Sequence, residues 1–225
     1  MNEVSIRVAT LFTFGPFDIS VSLATSVGMT VVISGVGWLL VRSPASTPGP
    51  RQVVIEAIVS TMEEAVAQVA GSHAQRIMPF IASIWIFLVC SNLLGLVPGL
   101  DSPTRDLSVT TALAIVVFLS VHWFGIRTQG LKKYLQHYLS PSPFLLPFHL
   151  ISEVTRTVAL AVRLFGNMMS LEMAAFLVLM VAGFLVPIPI LMLHIVEALV
   201  QAYIFGMLAL IYVAGGIQSH EEGKP

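Results

Sequence analysis

Apolar residues fall along this chain in long unbroken runs, and the polar residues gather in short intervals between them. Residues 19–41, 77–100 and 107–126 contain no Asp, Glu, Lys or Arg. At about 1.5 Å per residue each run can cross a hydrocarbon layer about 30 Å thick, so each predicts a membrane helix. Residues 51–75 differ. There Val53, Ile55, Ile58, Met62, Val66 and Val69 recur at helical spacing, while Glu56, Glu63 and Glu64 supply polar positions. That pattern predicts a moderately amphipathic helix lying at the membrane surface or entering it obliquely.

From residue 144 the helical pattern persists to 185, broken mainly by Pro147 near its start. Some forty residues in one helix would reach roughly 60 Å, twice the hydrocarbon thickness. Such a helix must tilt strongly, kink, or run partly along the membrane plane. Val186-Pro-Ile-Pro-Ile190 predicts a turn, and a second long helix follows over 190–214, with Gly215-Gly216 as its expected C-cap. Residues 1–18 read as an interfacial lead-in that ends in a turn at Phe14-Gly-Pro-Phe-Asp18. The stretch 43–51, with Pro44, Pro48 and Pro50, reads as a non-helical connection, and 218–225 as a polar tail. The predicted fold is an all-α integral membrane protein in one domain over 1–225. It has about five crossings plus the amphipathic helix, and ends in a long, strongly tilted helical hairpin.

Composition points the same way. Hydrophobic residues make up 56% of the chain and charged residues only 10%, with a mean hydropathy of +0.89, whereas a soluble domain carries about 25% charged residues. A formal net charge of -1 offers no basic face to a nucleic acid. The opening residues lack a basic region followed by a short apolar run and a cleavage site, so no removable signal peptide is expected. Cys90 is the single cysteine and excludes an internal disulfide. There is no His-Glu-x-x-His, no cysteine pair and no Gly-rich phosphate loop, so no catalytic site, metal or cofactor is predicted. Arg42, Arg51, Arg76, Arg127, Lys132 and Lys133 lie in connections that should face the cytoplasm, which puts the N-terminus outside and the C-terminus inside.

The chemistry lies in the few charges within the long hairpin. Arg163 sits in Ala159-Leu-Ala-Val-Arg-Leu-Phe-Gly-Asn-Met168, with no charged residue closer in sequence than Arg156 and Glu172. A guanidinium in an apolar helix costs several kcal/mol unless a protein partner or polar path receives it, so it marks transport chemistry. Gly166 beside it permits close approach of another backbone. Arg156, Arg163 and Asn167 share one stripe, whereas Glu172 is about 180° round the axis from Arg163 and needs a partner on another helix or a polar cavity. On the last helix His194, Glu197 and Gln201 cluster at spacings of three and four. The competing explanations are a structural ion pair for Glu172 and interhelical hydrogen bonding for Gln201. His122 reads as structural or interfacial, Trp123 as an interfacial belt residue, and Met168, Met169 and Met173 as packing residues.

Arg163-Leu-Phe-Gly-Asn-Met168, followed by Glu172, His194 and Gln201-Ala-Tyr-Ile-Phe205, resembles subunit a of F-type ATP synthases. The resemblance extends more weakly over almost the whole chain, including Asn92-Leu-Leu-Gly-Leu-Val-Pro98. The short N-terminus and the Gly-Asn-Met-Met-Ser-Leu-Glu run resemble the alternate F-type branch found beside a conventional enzyme in some bacteria and archaea. The resemblance implies a multi-pass, non-nucleotide-binding channel subunit of a bacterial or archaeal cell membrane. Its partners would be a ring of c subunits, b-type peripheral stalk subunits and the complete F-type assembly, with H⁺ or Na⁺ as the transported ion. It implies that Arg163 faces the rotor carboxylate with Gln201 as neighbour, and that Asn167, Glu172 and His194 line aqueous half-channels. Family members often have a glutamate where His149 stands, Arg-Pro where this chain has Arg156-Thr157, and a small residue in place of Leu171. These departures leave His149, Glu153 and Glu197 as further candidate channel-lining residues. A secondary ion-coupled transporter is the alternative class, opposed by the short length and the absence of an inverted repeat.

Overall fold

The computed structural model describes residues 10–14, 17–41, 49–97, 102–131, 134, 146–182 and 187–218. A small antiparallel hairpin comes first, β1 (Thr10–Phe14) pairing with β2 (Phe17–Ser20). Among the described residues six long helices follow: α1 (Val21–Val41), α2 (Pro50–Ala70), α3 (Ala74–Leu94), α4 (Leu107–Gln129), α5 (Leu146–Ala182) and α6 (Pro187–Gln218). The body is all-helical, and among the described residues five helical segments are long and apolar enough to cross a membrane. The hairpin is an addition to the expected lead-in, its strands flanking Gly15-Pro16 in the chain. Residues 42–48, the exit of span two at 98–101, most of the connection after α4, the turn at 183–186 and the tail beyond Gln218 lie outside the described residues.

Several boundaries move, each for a local reason. The amphipathic helix ends at Ala70 rather than 75, because Gly71 takes φ +52 and closes it with its N–H on the Ala67 carbonyl. That conformation costs glycine little and other residues more. After a 3₁₀ turn at Gly71–His73, α3 runs to Leu94 instead of residue 100. Its end tightens through Leu96 N–H to Leu93 O and Val97 N–H to Leu94 O. Pro98 follows, and the residue before a proline is disfavoured in the helical region. Asp106 caps α4 by accepting from the Ser108 N–H at 2.9 Å. At the last helix Pro187 and Pro189 are accommodated in the first turn, where their missing N–H groups would have had no intrahelical partner. The expected C-cap at Gly215-Gly216 is incorrect: α6 continues to Gln218.

Tertiary contact explains that continuation. A Cβ added at Gly216 would lie 2.9 Å from Val121 Cγ1, so the bare glycine lets α4 and α6 approach closely. Helix α6 is the centre of the molecule, packing on α2, α3, α4 and α5. Its buried face carries Ala198, Ala202, Phe205, Ala209, Leu210, Val213, Ala214 and Ile217. Many of these are small. Lipid chains are as apolar as leucine, so helix association rests on close packing rather than on water exclusion, and small residues provide it. On α3, Ile77, Ile81, Ile84, Trp85 and Leu88 form the facing surface. Trp85 Nε1–H points to the Tyr203 carbonyl at 3.4 Å, with the two rings stacked. Met168 is buried as a packing residue should be, whereas Met173 is exposed.

Gly206 is the tightest point of this seam, because a Cβ there would overlap the Trp85 indole. Gly206→Ala is expected to destabilise the protein by about 1–3 kcal/mol through overpacking. Gly28→Ala, whose Cβ would meet no atom within 4 Å, should not. Thermal unfolding of the detergent-purified protein checks the pair, and equal stability of both variants would contradict the packed seam.

Candidate functional site

Helix α5 presents two faces. Leu160, Ala161, Leu164, Met168 and Leu171 are buried at helical spacing, while Val158, Val162 and Arg163 face outward. Arg163 stands near the middle of this 37-residue helix. Among the described residues it makes no hydrogen bond or ion pair. A Cβ at Gly166 would likewise meet no atom within 4 Å. The surface next to the guanidinium is therefore unoccupied by the rest of the described chain, and it lies too far from both helix ends for easy snorkelling.

One turn on, Asn167 Nδ2–H donates to Gln201 Oε1 at 2.6 Å, joining α5 to α6. Gln201 is only 1% exposed, and its buried Nε2 has no hydrogen-bond partner among the described residues. The structure thus brings Asn167 and Gln201 together beside the Arg163 position, as a hairpin of the two helices requires.

A polar cluster lies at the end of the molecule formed by the turn before α4. Glu172 Oε2 accepts from Arg105 at 2.9 Å, with side-chain exposures of 21% and 48% respectively. Glu172 thereby finds the off-helix partner that its position demanded, in a short 3₁₀ turn, Pro103–Arg105. Behind it Thr104 Oγ1 donates to Asn92 Oδ1 at 2.8 Å, and Ser102 Oγ to the Ser91 carbonyl at 2.9 Å. Asn92 Nδ2 donates to the Ala198 carbonyl at 3.1 Å, fastening the turn to α6. His194 is buried at 4% exposure, and its Nε2 is enclosed with no hydrogen-bond partner. Glu197, three residues on, is half-buried. Arg105 and Thr104 were not legible as site residues, because in sequence they belong to an ordinary polar turn.

A second cluster occupies the opposite end of α4. His122 Nε2 lies 3.7 Å from Glu153 Oε2 on α5, and Arg156 lies over the Tyr212 ring at 5.6 Å from its centroid. Glu153, Arg156 and Tyr212 line a cavity of about 450 Å³, together with Tyr134, His149, Ser152 and Thr157. His149 stands exposed at its margin. Along α5, Glu153 lies about 15 Å before Arg163 and Glu172 about 13 Å after it. The two clusters are therefore separate, with the outward-facing arginine between them. Among the described residues no three His, Cys, Asp or Glu side chains are placed to hold a metal ion.

A family model described as ATP synthase A chain matches residues 23–214. The chain is 61% identical over 211 residues to an ATP synthase subunit a 2 from Pelobacter propionicus, covering 94% of this chain and 92% of that one. It is 54% identical over 222 residues to an ATP synthase subunit a from Legionella pneumophila, covering 98% and 96%. A third relative, ATP synthase subunit a 1 from Hahella chejuensis, is 59% identical over 208 residues, covering 92% and 88%.

The Arg105–Glu172 contact is open to a double-mutant cycle with Arg105→Ala and Glu172→Ala, read by thermal stability in mild detergent. Half-exposed ion pairs couple by about 0.2–1 kcal/mol, so a non-additivity in that range is expected. Strictly additive single losses would show that the two groups do not pair in the assembled protein.

Proposed function

The chain belongs to the ATP synthase subunit a family, and from that premise we propose that it is the ion-translocating stator subunit of a rotary F-type ATP synthase, with Arg163 facing the carboxylate of a c ring. It is a non-catalytic, non-nucleotide-binding channel subunit. The ATP chemistry belongs to other subunits, and b-type stalk subunits hold this one stationary. The observation that supports the residue assignment is the outward Arg163, without a partner among the described residues, between two polar clusters toward opposite ends of one helix.

The physics is as follows. A rotor carboxylate enters lipid cheaply only when protonated or ion-loaded, because its charged form is poorly solvated there. Opposite Arg163 it can release its ion, since the guanidinium compensates the bare carboxylate. The same cation opposes direct passage of H⁺ or Na⁺ between the clusters, so flow is forced through rotation. Glu172 and His194, with Glu197 near them, serve one half-channel; Glu153 and His149 serve the other. The Asn167–Gln201 bond ties α5 to α6 one turn beyond Arg163.

Insertion follows the Lys and Arg distribution, with the N-terminus outside and the C-terminus in the cytoplasm of a bacterial cell. The Arg105–Glu172 half-channel then opens outside and the Glu153 half-channel inside.

Arg163→Ala is expected to abolish coupled ATP synthesis and ATP-driven ion pumping while the complex still assembles, and Arg163→Lys to be severely impaired because an ammonium lacks the planar fork. Pumping by vesicles containing the assembled variant measures this; a near wild-type rate would remove Arg163 from the barrier. The orientation is checked by reporter fusions at Asp101 and Gly223, expected to report opposite sides of the membrane. Both reporting from one side would invert one half of the hairpin.

A further inference from the structure

Gly95 directly follows the last residue of α3 and has no role in the stator reading. We propose that Gly95 is a positioning residue for Glu172: by carrying no side chain it lets the Pro103–Arg105 turn and the Glu172 carboxylate come together, and so sets the Arg105–Glu172 contact. This rests on the assignment of Glu172 to a half-channel in the preceding section and adds to it a residue from the end of a different helix.

The backbone does not call for glycine at this position. Gly95 has φ -63 and ψ -11, right-handed helical values open to any residue, so the positive φ that glycine alone adopts freely is not used. What the residue supplies is room. An added Cβ would lie 3.1 Å from Ser102 Cβ, 3.4 Å from Glu172 Oε1 and 3.7 Å from the Asn92 carbonyl oxygen. The first distance is shorter than the roughly 3.5–4.0 Å at which carbon atoms pack, and the second would set a methyl group against the carboxylate. Position 95 therefore touches both sides of one contact, the turn that carries Arg105 and the acid that receives it.

Hydrogen bonds anchor that turn to the same helix. Ser102 Oγ donates to the Ser91 carbonyl at 2.9 Å, and Thr104 Oγ1 to Asn92 Oδ1 at 2.8 Å. Ser91 and Asn92 lie four and three positions before Gly95, on one face of the helix. The turn is thus tied to α3 where the bare glycine lets it come closest. Arg105 ends the turn, and its Nη1 donates to Glu172 Oε2 at 2.9 Å. A hydrogen bond weakens steeply as it lengthens and bends, and the Coulomb attraction falls with separation. A side chain at position 95 pushes on the turn and on the carboxylate at once, so it disturbs this contact while leaving Arg163 untouched.

The test uses the complete ATP synthase in inverted membrane vesicles. The initial rate of ATP-driven charge movement per assembled complex, read with a voltage-sensitive dye, responds to H⁺ and Na⁺ alike. Gly95→Ala is expected to lower that rate by about twofold and Gly95→Val by roughly tenfold or more, while Gly28→Ala stays at the wild-type rate. The Arg105→Ala and Glu172→Ala stability cycle is then repeated in Gly95→Ala. Its non-additivity should shrink there, whereas a glycine that served packing alone would lower stability and leave the coupling of the pair intact. Wild-type rates in both Gly95 variants, or unchanged coupling in Gly95→Ala, would overturn the proposal. Glu172→Gln in the same vesicles separates the levels: if it is impaired while both Gly95 variants move charge as wild type, only the role of Gly95 fails, and if it moves charge at the wild-type rate, the half-channel assignment of Glu172 fails.

Discussion

A guanidinium turned outward from the middle of an apolar helix is not a stable arrangement in hydrocarbon. Placing arginine at that depth costs about 3 kcal/mol on insertion scales and more on an isolated helix. Arg163 nevertheless faces away from the chain's own core, with no partner among the described residues. The cost is relieved by what docks against α5, and a rotor carboxylate is an anion of the right kind. Among the described residues the chain thus leaves this position uncompensated.

The other polar groups are arranged around that constraint. None of them neutralises Arg163: Glu172 is bound to Arg105, Glu153 faces His122, and Arg156 rests on Tyr212. Each acid is held about 13–15 Å along α5 from the central cation, too far for direct compensation by hydrogen bonding. The separation leaves the arginine uncompensated by either acid and leaves the acids toward opposite ends of α5. Had Glu172 been one turn from Arg163, the two would have been placed to close an internal pair.

Holding those positions falls to α6. Its small residues let α3 and α4 pack close, and two hydrogen bonds tie the frame together, Gln201 Oε1 accepting from Asn167 and the Ala198 backbone carbonyl accepting from Asn92. Interhelical hydrogen bonds in membranes contribute only about 0.6 kcal/mol on average, so register is fixed chiefly by packing, as at Gly206 against Trp85.

Hydropathy by itself determined the number of crossings, the amphipathic character of α2 and the long terminal hairpin, because the bilayer imposes a length and a polarity on every spanning element. It also singled out Arg163, since a charge in an apolar run is visible without coordinates, and the shared stripe with Asn167 follows from helical period alone. Where the helices end was less legible: Gly71 breaks a helix and Gly215-Gly216 do not, because Gly216 is packed against α4 and close contact there outweighs a propensity cost of about 1 kcal/mol per glycine. The partners of the acids were decided only by tertiary structure. Arg105 and His122 sit in a polar turn and near the end of a span, where local sequence gives them nothing unusual, and they gain their partners when α4 lies antiparallel to α5 and brings its two ends to Glu172 and Glu153. Pairing across helices depends on register and rotation, which close packing of side chains sets and linear periodicity does not encode.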